Sequence, residues 1–193
     1  MARPKEFDRY EALKKAMAVF WEKGYDGTSL PDLMKGMGIS RSSLYETFGD
    51  KQALFKEAME CYLECVASKR MYALKIAKTA RRGIKAYFED QIRVALDENY
   101  PDGCFFTNVS AALGSCDSKT GEYARLAAAR LEKEFHDLLR KGQDSGEFSR
   151  NKDVAAIARC LTGLSYGMNI LAPLGKDRKC LEAMVKAILK LLE

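Results

Sequence analysis

The residues in this 193-residue chain best arranged to do chemistry are Ser40-Arg41-Ser42-Ser43-Leu44-Tyr45-Glu46-Thr47. An arginine in such a run can donate two hydrogen bonds to a guanine edge, and small serines beside it permit close approach to a duplex. Glu46 either accepts from a cytosine amino group or points away and limits non-specific binding. This is the chemistry of recognition.

The other reactive groups are thiols. Six cysteines are present, at 61, 65, 104, 116, 160 and 180, with no CxxC spacing, and the single His136 leaves no His/Cys zinc pattern. The simplest reading makes free cysteines small buried hydrophobes, although Cys61 and Cys65 share a helix face at i,i+4. Tyr100-Pro-Asp-Gly-Cys104-Phe-Phe-Thr-Asn108 places a thiol on the expected first turn of a helix. A helix N-terminus favours thiolate, so Cys104 is a candidate sensor of an oxidant or electrophile. The alternative is a structural cysteine filling space beside Phe105 and Phe106. No Ser/His/Asp set, phosphate-binding glycine loop or cofactor motif occurs, so the chain is expected to be no enzyme and to need no cofactor. A thiol-based redox enzyme and a helical interaction module stand as rivals to a DNA reader.

The elements that must position these residues are helices. Ala and Leu together number 45 against 19 for Val, Ile and Thr, and only four prolines occur, far apart. That balance favours helix, where straight-chain side chains lose little freedom. Apolar residues recur at helical spacing from about Phe7 to Lys23, where Gly24 ends the run. Ser29 with Asp32 marks a capped start, Ser40 caps another short helix through Thr47, and Gly49-Asp50 opens a long one with Leu54, Phe55, Ala58, Tyr62 and Cys65 or Val66 on one side. Further helices are expected over 79–96, 104–114, 118–141, 151–172 and 177–192, with Asn151 and Asp177 as caps and a turn at 142–146. The fold class is all-α, with about nine helices and no sheet.

Within this series, two short helices meet at Gly36-Met-Gly38-Ile-Ser40, with Leu30, Leu33, Met34, Ile39, Leu44 and Phe48 facing inward. That is the layout of a helix-turn-helix whose second helix projects into a major groove. Charge does not carry this reading. Residues 1–56 hold ten Lys/Arg against eight Asp/Glu, a net of +2. Residues 69–93 hold eight basic residues against Glu89 and Asp90, a net of +6 that exceeds the whole chain's +5. A solvated face explains that segment most simply; an anionic inducer, or long-range attraction to DNA, is the sharper alternative.

Gly24-Tyr25, Thr28, Gly38-Ile39-Ser40, Leu44-Tyr45, Phe48, Lys51 and Leu54-Phe55 resemble the signature of the TetR family of bacterial transcriptional repressors. The resemblance is close over about the first 55 residues and extends beyond them only in length and helical pattern. It implies a DNA-binding domain over 1–50, with a ligand-binding and dimerisation domain over 51–193. Among the DNA-facing residues, it implies that Thr28 binds a phosphate and that Arg41 and Ser42 face bases. Ser43 and Tyr45 would lie near backbone or base edges, next to the capping Ser40. Glu46 departs from the aromatic residue common there, Thr47 stands where the family often has a phosphate-touching His, and Lys51 would neutralise a phosphate.

The resemblance also implies a small-molecule pocket among the middle helices, for which Tyr87, Phe88, Ile92, Cys104, Phe105, Asn108, Tyr123, Tyr166 and Met168 are candidate linings. The family's habit implies a homodimer through the last two helices, where Ala155, Ala156, Ala158, Gly163 and Gly167 form one small-residue stripe and Ala183, Ala187, Leu191 and Leu192 a second apolar one. The N-terminus mixes charges, and the uncharged stretch Cys160–Gly175 is shorter than a bilayer span, so a buried helix is expected there. The expected protein is a cytoplasmic repressor that binds a near-palindromic operator and no membrane. A small effector, or an oxidant or electrophile, would release it.

Overall fold

The computed structural model describes residues 7–112, 119–175 and 177–193, and among them there is helix and no strand. Asp8 accepts from the Glu11 N–H and starts α1 (Arg9–Lys23), which buries Ala16, Phe20 and Trp21 and stops at Gly24. α2 (Leu30–Met37) opens on a capping box between Ser29 and Asp32, with Pro31 in the first turn where no donor is missed. Gly38 then adopts φ +71°, a left-handed conformation that favours glycine, and turns the chain into α3 (Arg41–Phe48). Gly36 is required for a different reason: a Cβ there would stand 2.5 Å from the Val19 side chain on α1.

Asp50 caps α4 (Lys51–Tyr62), which continues through a π segment (Leu63–Ala67) into α5 (Ser68–Ile76). This rod runs on to Ile76, ten residues past Val66. It folds back on α6 (Ala80–Ala95), whose first two N–H groups donate to the Glu147 carboxylate. Then come α7 (Phe105–Ala112), α8 (Lys119–Asp144), α9 (Val154–Leu171) and α10 (Arg178–Leu189). Counting α4 to α5 as one rod gives nine helices among the described residues.

Two expected boundaries move. α8 runs through Gly142 to Asp144, because Gly142 lies against Phe148 and Ala80, where a Cβ would collide with the Phe148 ring. α9 is capped by Asp153, which accepts from the Ala156 N–H, and Asn151 lies before the helix.

The apolar interior forms two clusters. The first joins α1 to α4 with Val94 and α7, so its packing continues past residue 50: Phe20 meets Phe55 edge-on at 5.0 Å, and Phe55 meets Phe105 at 5.6 Å. The second is built by α5, α6, α8, α9 and α10 around Ile84, Phe88, Phe135 and Leu161. The expectation of a buried helix at 160–175 holds for only one side. α9 is largely apolar and long enough to pass for a membrane span, yet only about a third of that stretch is buried within the chain. Ala158 and Leu161 face inward, while Gly163 has nothing within 4 Å of the place its Cβ would occupy.

Candidate nucleic-acid interface and ligand cavity

α3 stands on a pair of buried residues. Leu44 and Phe48 anchor it, and the Ser40 hydroxyl caps it by accepting from the Ser43 N–H at 3.2 Å. The same hydroxyl lies 2.9 Å from those of Ser42 and Ser43, so the three serines form one polar cluster at the start of the helix. Arg41, Ser42, Tyr45 and Glu46 are exposed, Ser43 and Thr47 half-buried. The Arg41 guanidinium rests 5.7 Å from the Tyr45 ring centre, which holds it along the outer face of the helix. Lys51 is also held: its ammonium sits 4.3 Å over the Tyr25 ring, beside the α3–α4 corner.

Thr28 departs from expectation. Its side chain is 1% exposed and its hydroxyl donates to the Gly24 carbonyl at 2.6 Å. The hydroxyl is committed to closing the α1–α2 connection and is not turned to a phosphate. α2 is tied to α1 by Lys23 on Asp32 at 2.5 Å. That contact, with the bonds from Ser29, holds the Asp32 carboxyl well below the usual carboxylate range.

The second site is a small, partly open cavity between the α4–α5 rod and α6 to α9, about 70 Å³ in volume. Of the candidate linings, Tyr87, Cys104 and Tyr166 lie on its wall. Phe88, Phe105 and Met168 do not; they are core, at most 2% exposed. Ile92 is buried against the α6–α10 side, and Tyr123 belongs to a separate shallow groove by Lys56 and Met59. Asn108 is spent on structure, donating to the carbonyls of Trp21 and Asp102. Cys104 lies just before α7, its carbonyl accepting from the Asn108 N–H. Its sulfur is 3.1 Å from the Tyr62 hydroxyl.

The polar wall of the cavity is a connected network. Arg70, 5% exposed, donates to the Tyr62 hydroxyl at 2.7 Å, and its other terminal nitrogen faces Asp90 at 3.8 Å. Ser165 donates to the Gln91 side-chain oxygen, so its contact with Tyr87 has the phenol as donor. Gln91 donates to Asn169, which donates to Thr107. Burial pushes the phenols of Tyr62, Tyr87 and Tyr166 up, which keeps them protonated.

Of the cysteines outside the cavity, Cys61 is buried with its thiol pushed up to about 12, first by burial and then by Cys65 at 3.5 Å. Cys65, Cys160 and Cys180 are exposed, against the expectation of buried hydrophobes, and Cys116 lies outside the described residues.

This pairing of a short, serine-capped reading helix with a helical domain around a cavity has clear relatives. A family model described as Bacterial regulatory proteins, tetR family, matches residues 12–58, and one described as Tetracyclin repressor-like, C-terminal domain, matches residues 80–188. The chain belongs to the TetR family. An uncharacterized HTH-type transcriptional regulator of Bacillus subtilis, YezE, is 31% identical over the full length of both chains. The Escherichia coli HTH-type transcriptional repressor ComR is 30% identical, covering 98% of this chain and 90% of its own. A cysteine-substituted form of the TetR family transcriptional regulator CifR, complexed with 26-bp double-strand operator DNA, superposes with a TM-score of 0.92 at 29% identity and full coverage of both chains.

The cavity of this TetR-family regulator has a polar wall that the candidate linings do not include. Tyr62, Arg70, Thr107, Ser165 and Asn169 all line it. Arg70 was legible only as one charge in the basic segment. Much of that segment is ion-paired: Lys75 with Glu134, Arg81 with Glu193, Lys85 with Glu89, and Arg93 with Asp90.

Proposed function

We propose that this regulator is a repressor that holds a near-palindromic operator as a homodimer and releases it when a small molecule fills the cavity. The observation that carries the reading is α3 itself, whose inner residues are locked into the core while Arg41, Ser42, Tyr45 and Glu46 stand together in solvent. An exposed arginine next to small hydroxyls suits direct readout in a major groove. The repressor and operator-bound relatives support the same role. With a net charge of only +2 over residues 1–56, one reading head gains little from the phosphate backbone, so two heads on paired half-sites are needed. The outward Gly163 and the exposed Ala183, Ala187 and Leu191 on the last two helices supply an apolar face for that pairing. Ala158 and Leu192 are buried within the chain and are not part of it. The protein works in the cytoplasm, where its DNA is, and we assign it no catalytic step.

Gel shifts with DNA upstream of its own gene, against random duplex at physiological salt, test this function. Preference for one upstream segment by about a thousandfold or more is expected. Equal binding to both overturns the reading. A second trigger is favoured by Cys104 at the cavity wall: oxidant or electrophile attack on its sulfur would disturb the contact with Tyr62. Loss of oxidant-induced operator release in Cys104→Ser supports this trigger, and an unchanged response removes it.

A further inference from the structure

Two thiols touch on the α4–α5 rod, away from the cavity lining. The sulfurs of Cys61 and Cys65 lie 3.5 Å apart at i,i+4. Cys61 is 2% exposed, and its thiol is pushed up to about 12. Cys65 is exposed, so an oxidant in solution meets its sulfur first. The Tyr10 hydroxyl of α1 lies 2.9 Å from that same sulfur. The phenol is pushed up to about 12, first by this contact, and so keeps a proton to donate. An exposed sulfur with a buried thiol directly behind it is the arrangement of an attacking and a resolving cysteine.

A disulfide needs its Cβ atoms about 3.5–4.5 Å apart, whereas i,i+4 Cβ atoms on a regular helix stand about 5–6 Å apart. The bond therefore does not close on an undisturbed α-helix, and here the helix is not regular. Cys65 lies inside the π segment Leu63–Ala67 and Cys61 two residues before it, so the pair straddles the point where the hydrogen-bond ladder shifts. Tightening that turn brings the sulfurs from 3.5 Å to the bonding distance of about 2.0 Å. The movement has neighbours on both sides. It draws the Cys65 sulfur away from Tyr10 on α1, and it shifts Leu63 and Ala67, which line the cavity.

We propose that Cys61 and Cys65 form a peroxide-driven disulfide that loosens α1 from the rod and weakens operator binding, the last step resting on the reading of the chain as an operator-binding regulator. The Cys65 sulfur attacks one oxygen of the hydroperoxide. The O–O bond breaks, one water leaves, and Cys65 becomes a sulfenic acid. The Cys61 sulfur then attacks the Cys65 sulfur, the S–O bond breaks, and the departing hydroxide takes the Cys61 proton as a second water. Two thiols and one hydrogen peroxide thus give one disulfide and two waters, with two electrons passing from sulfur to peroxide. A dithiol reductant reverses the change.

Trypsin releases residues 57–69, bounded by Lys56 and Lys69, as a peptide that carries both cysteines and no other. The purified full chain is titrated with hydrogen peroxide, blocked with iodoacetamide, digested and weighed by mass spectrometry. The reduced peptide takes a blocking group on each cysteine. The oxidised one should take neither, weigh two hydrogen atoms less, and regain both groups after dithiothreitol. This closure should precede any loss of blocking at the exposed Cys160 and Cys180. A peptide that keeps both groups until those two oxidise overturns the proposal. In Cys61→Ser, oxidation should stop at a Cys65 sulfenic acid that dimedone traps, and the measurement on the unaltered protein stands even if this variant fails to fold.

Gel shifts on the same samples should show operator affinity falling at least about tenfold as the peptide closes and recovering on reduction. Cys65→Ser, which keeps a hydroxyl for Tyr10, should hold the operator over the same peroxide range. Closure with unchanged operator affinity rejects the switch, as does release that persists in Cys65→Ser. A reduced protein with no operator preference rejects the regulatory reading instead, and peptide closure still decides the disulfide.

Discussion

Tyr62 and Trp21 meet edge-on, ring centres 5.0 Å apart and planes at 90°. Trp21 belongs to α1 and carries the reading domain's core, while the hydroxyl of Tyr62 reaches Arg70 and Cys104 in the cavity wall. One side chain therefore touches both the scaffold of α3 and the place where a ligand would sit. It lies at the last residue of α4, next to the π segment Leu63–Ala67, two of whose residues also line the cavity. Such segments insert an extra residue into a helix turn and recur at functional sites.

Removing only the hydroxyl isolates its part in this link. Tyr62→Phe keeps the ring on Trp21 but leaves Arg70, 5% exposed, with neither terminal nitrogen hydrogen-bonded. A buried hydrogen bond to a charged group is worth about 1.5–3 kcal/mol, and a loss of that size is expected in urea unfolding with an unchanged slope. Operator binding without ligand should persist. A variant as stable as the parent would mean that Arg70 finds another acceptor.

On α3 and α4, base reading and charge neutralisation separate by residue. Arg41→Ala should cost about 1–3 kcal/mol at one base pair and relax the sequence preference there. Lys51→Ala should weaken binding to operator and random duplex alike and reduce the slope against log salt by about one ion. Because Lys51 rests on the Tyr25 ring at 4.3 Å, an unchanged salt slope would show that it stays there in the complex. Gel shifts across a salt series measure both effects.

The reading domain was largely legible in advance, because its signals are local. Ser29, Ser40 and Asp50 act within three residues of themselves, and Gly38 declares its turn by backbone conformation alone. The cavity was legible only in part. Its wall gathers Tyr62, Tyr87, Thr107 and Asn169 from four helices, and helical spacing does not say which side of a helix meets a void. Phe88 and Tyr87 are adjacent, yet one packs into the core and the other points its hydroxyl to Ser165. Thr28 was misplaced for a related reason: its hydroxyl satisfies a carbonyl four residues back, a partner that residue type alone does not reveal.

Asp32 makes α2 sensitive to acid. Its carboxyl is held below the usual carboxylate range, chiefly by the hydrogen bond from Lys23 and then by those from Ser29. A depressed pKa contributes stability that is fully present above the unfolded value near 3.8 and disappears as pH falls through the lower folded value. The acid limb of the stability curve should therefore steepen below about pH 4. Asp32→Asn should be less stable at neutral pH and lose part of that limb. Circular dichroism melts from pH 2 to 7 check it, and an identical acid limb in the variant would assign the sensitivity elsewhere.

The apolar outer side of α9 makes the last prediction the most direct test of assembly. Gly163 is exposed and a Cβ there meets nothing within 4 Å, so a large side chain has room within the chain. Leucine is also the better helix former, by nearly 1 kcal/mol, so Gly163→Leu should leave the protomer folded. Between two copies the same residue would stand where small side chains allow helices to approach closely, and the added bulk should hold them apart. Sedimentation should show monomer at concentrations where the parent is a dimer. Operator affinity should then fall by far more than any change in helicity explains, since a single α3 is left to bind one half-site. If the variant remains dimeric with unchanged affinity, the pairing face lies away from Gly163, and the exposed Ala183, Ala187 and Leu191 on α10 and the segment that follows it become the next face to alter.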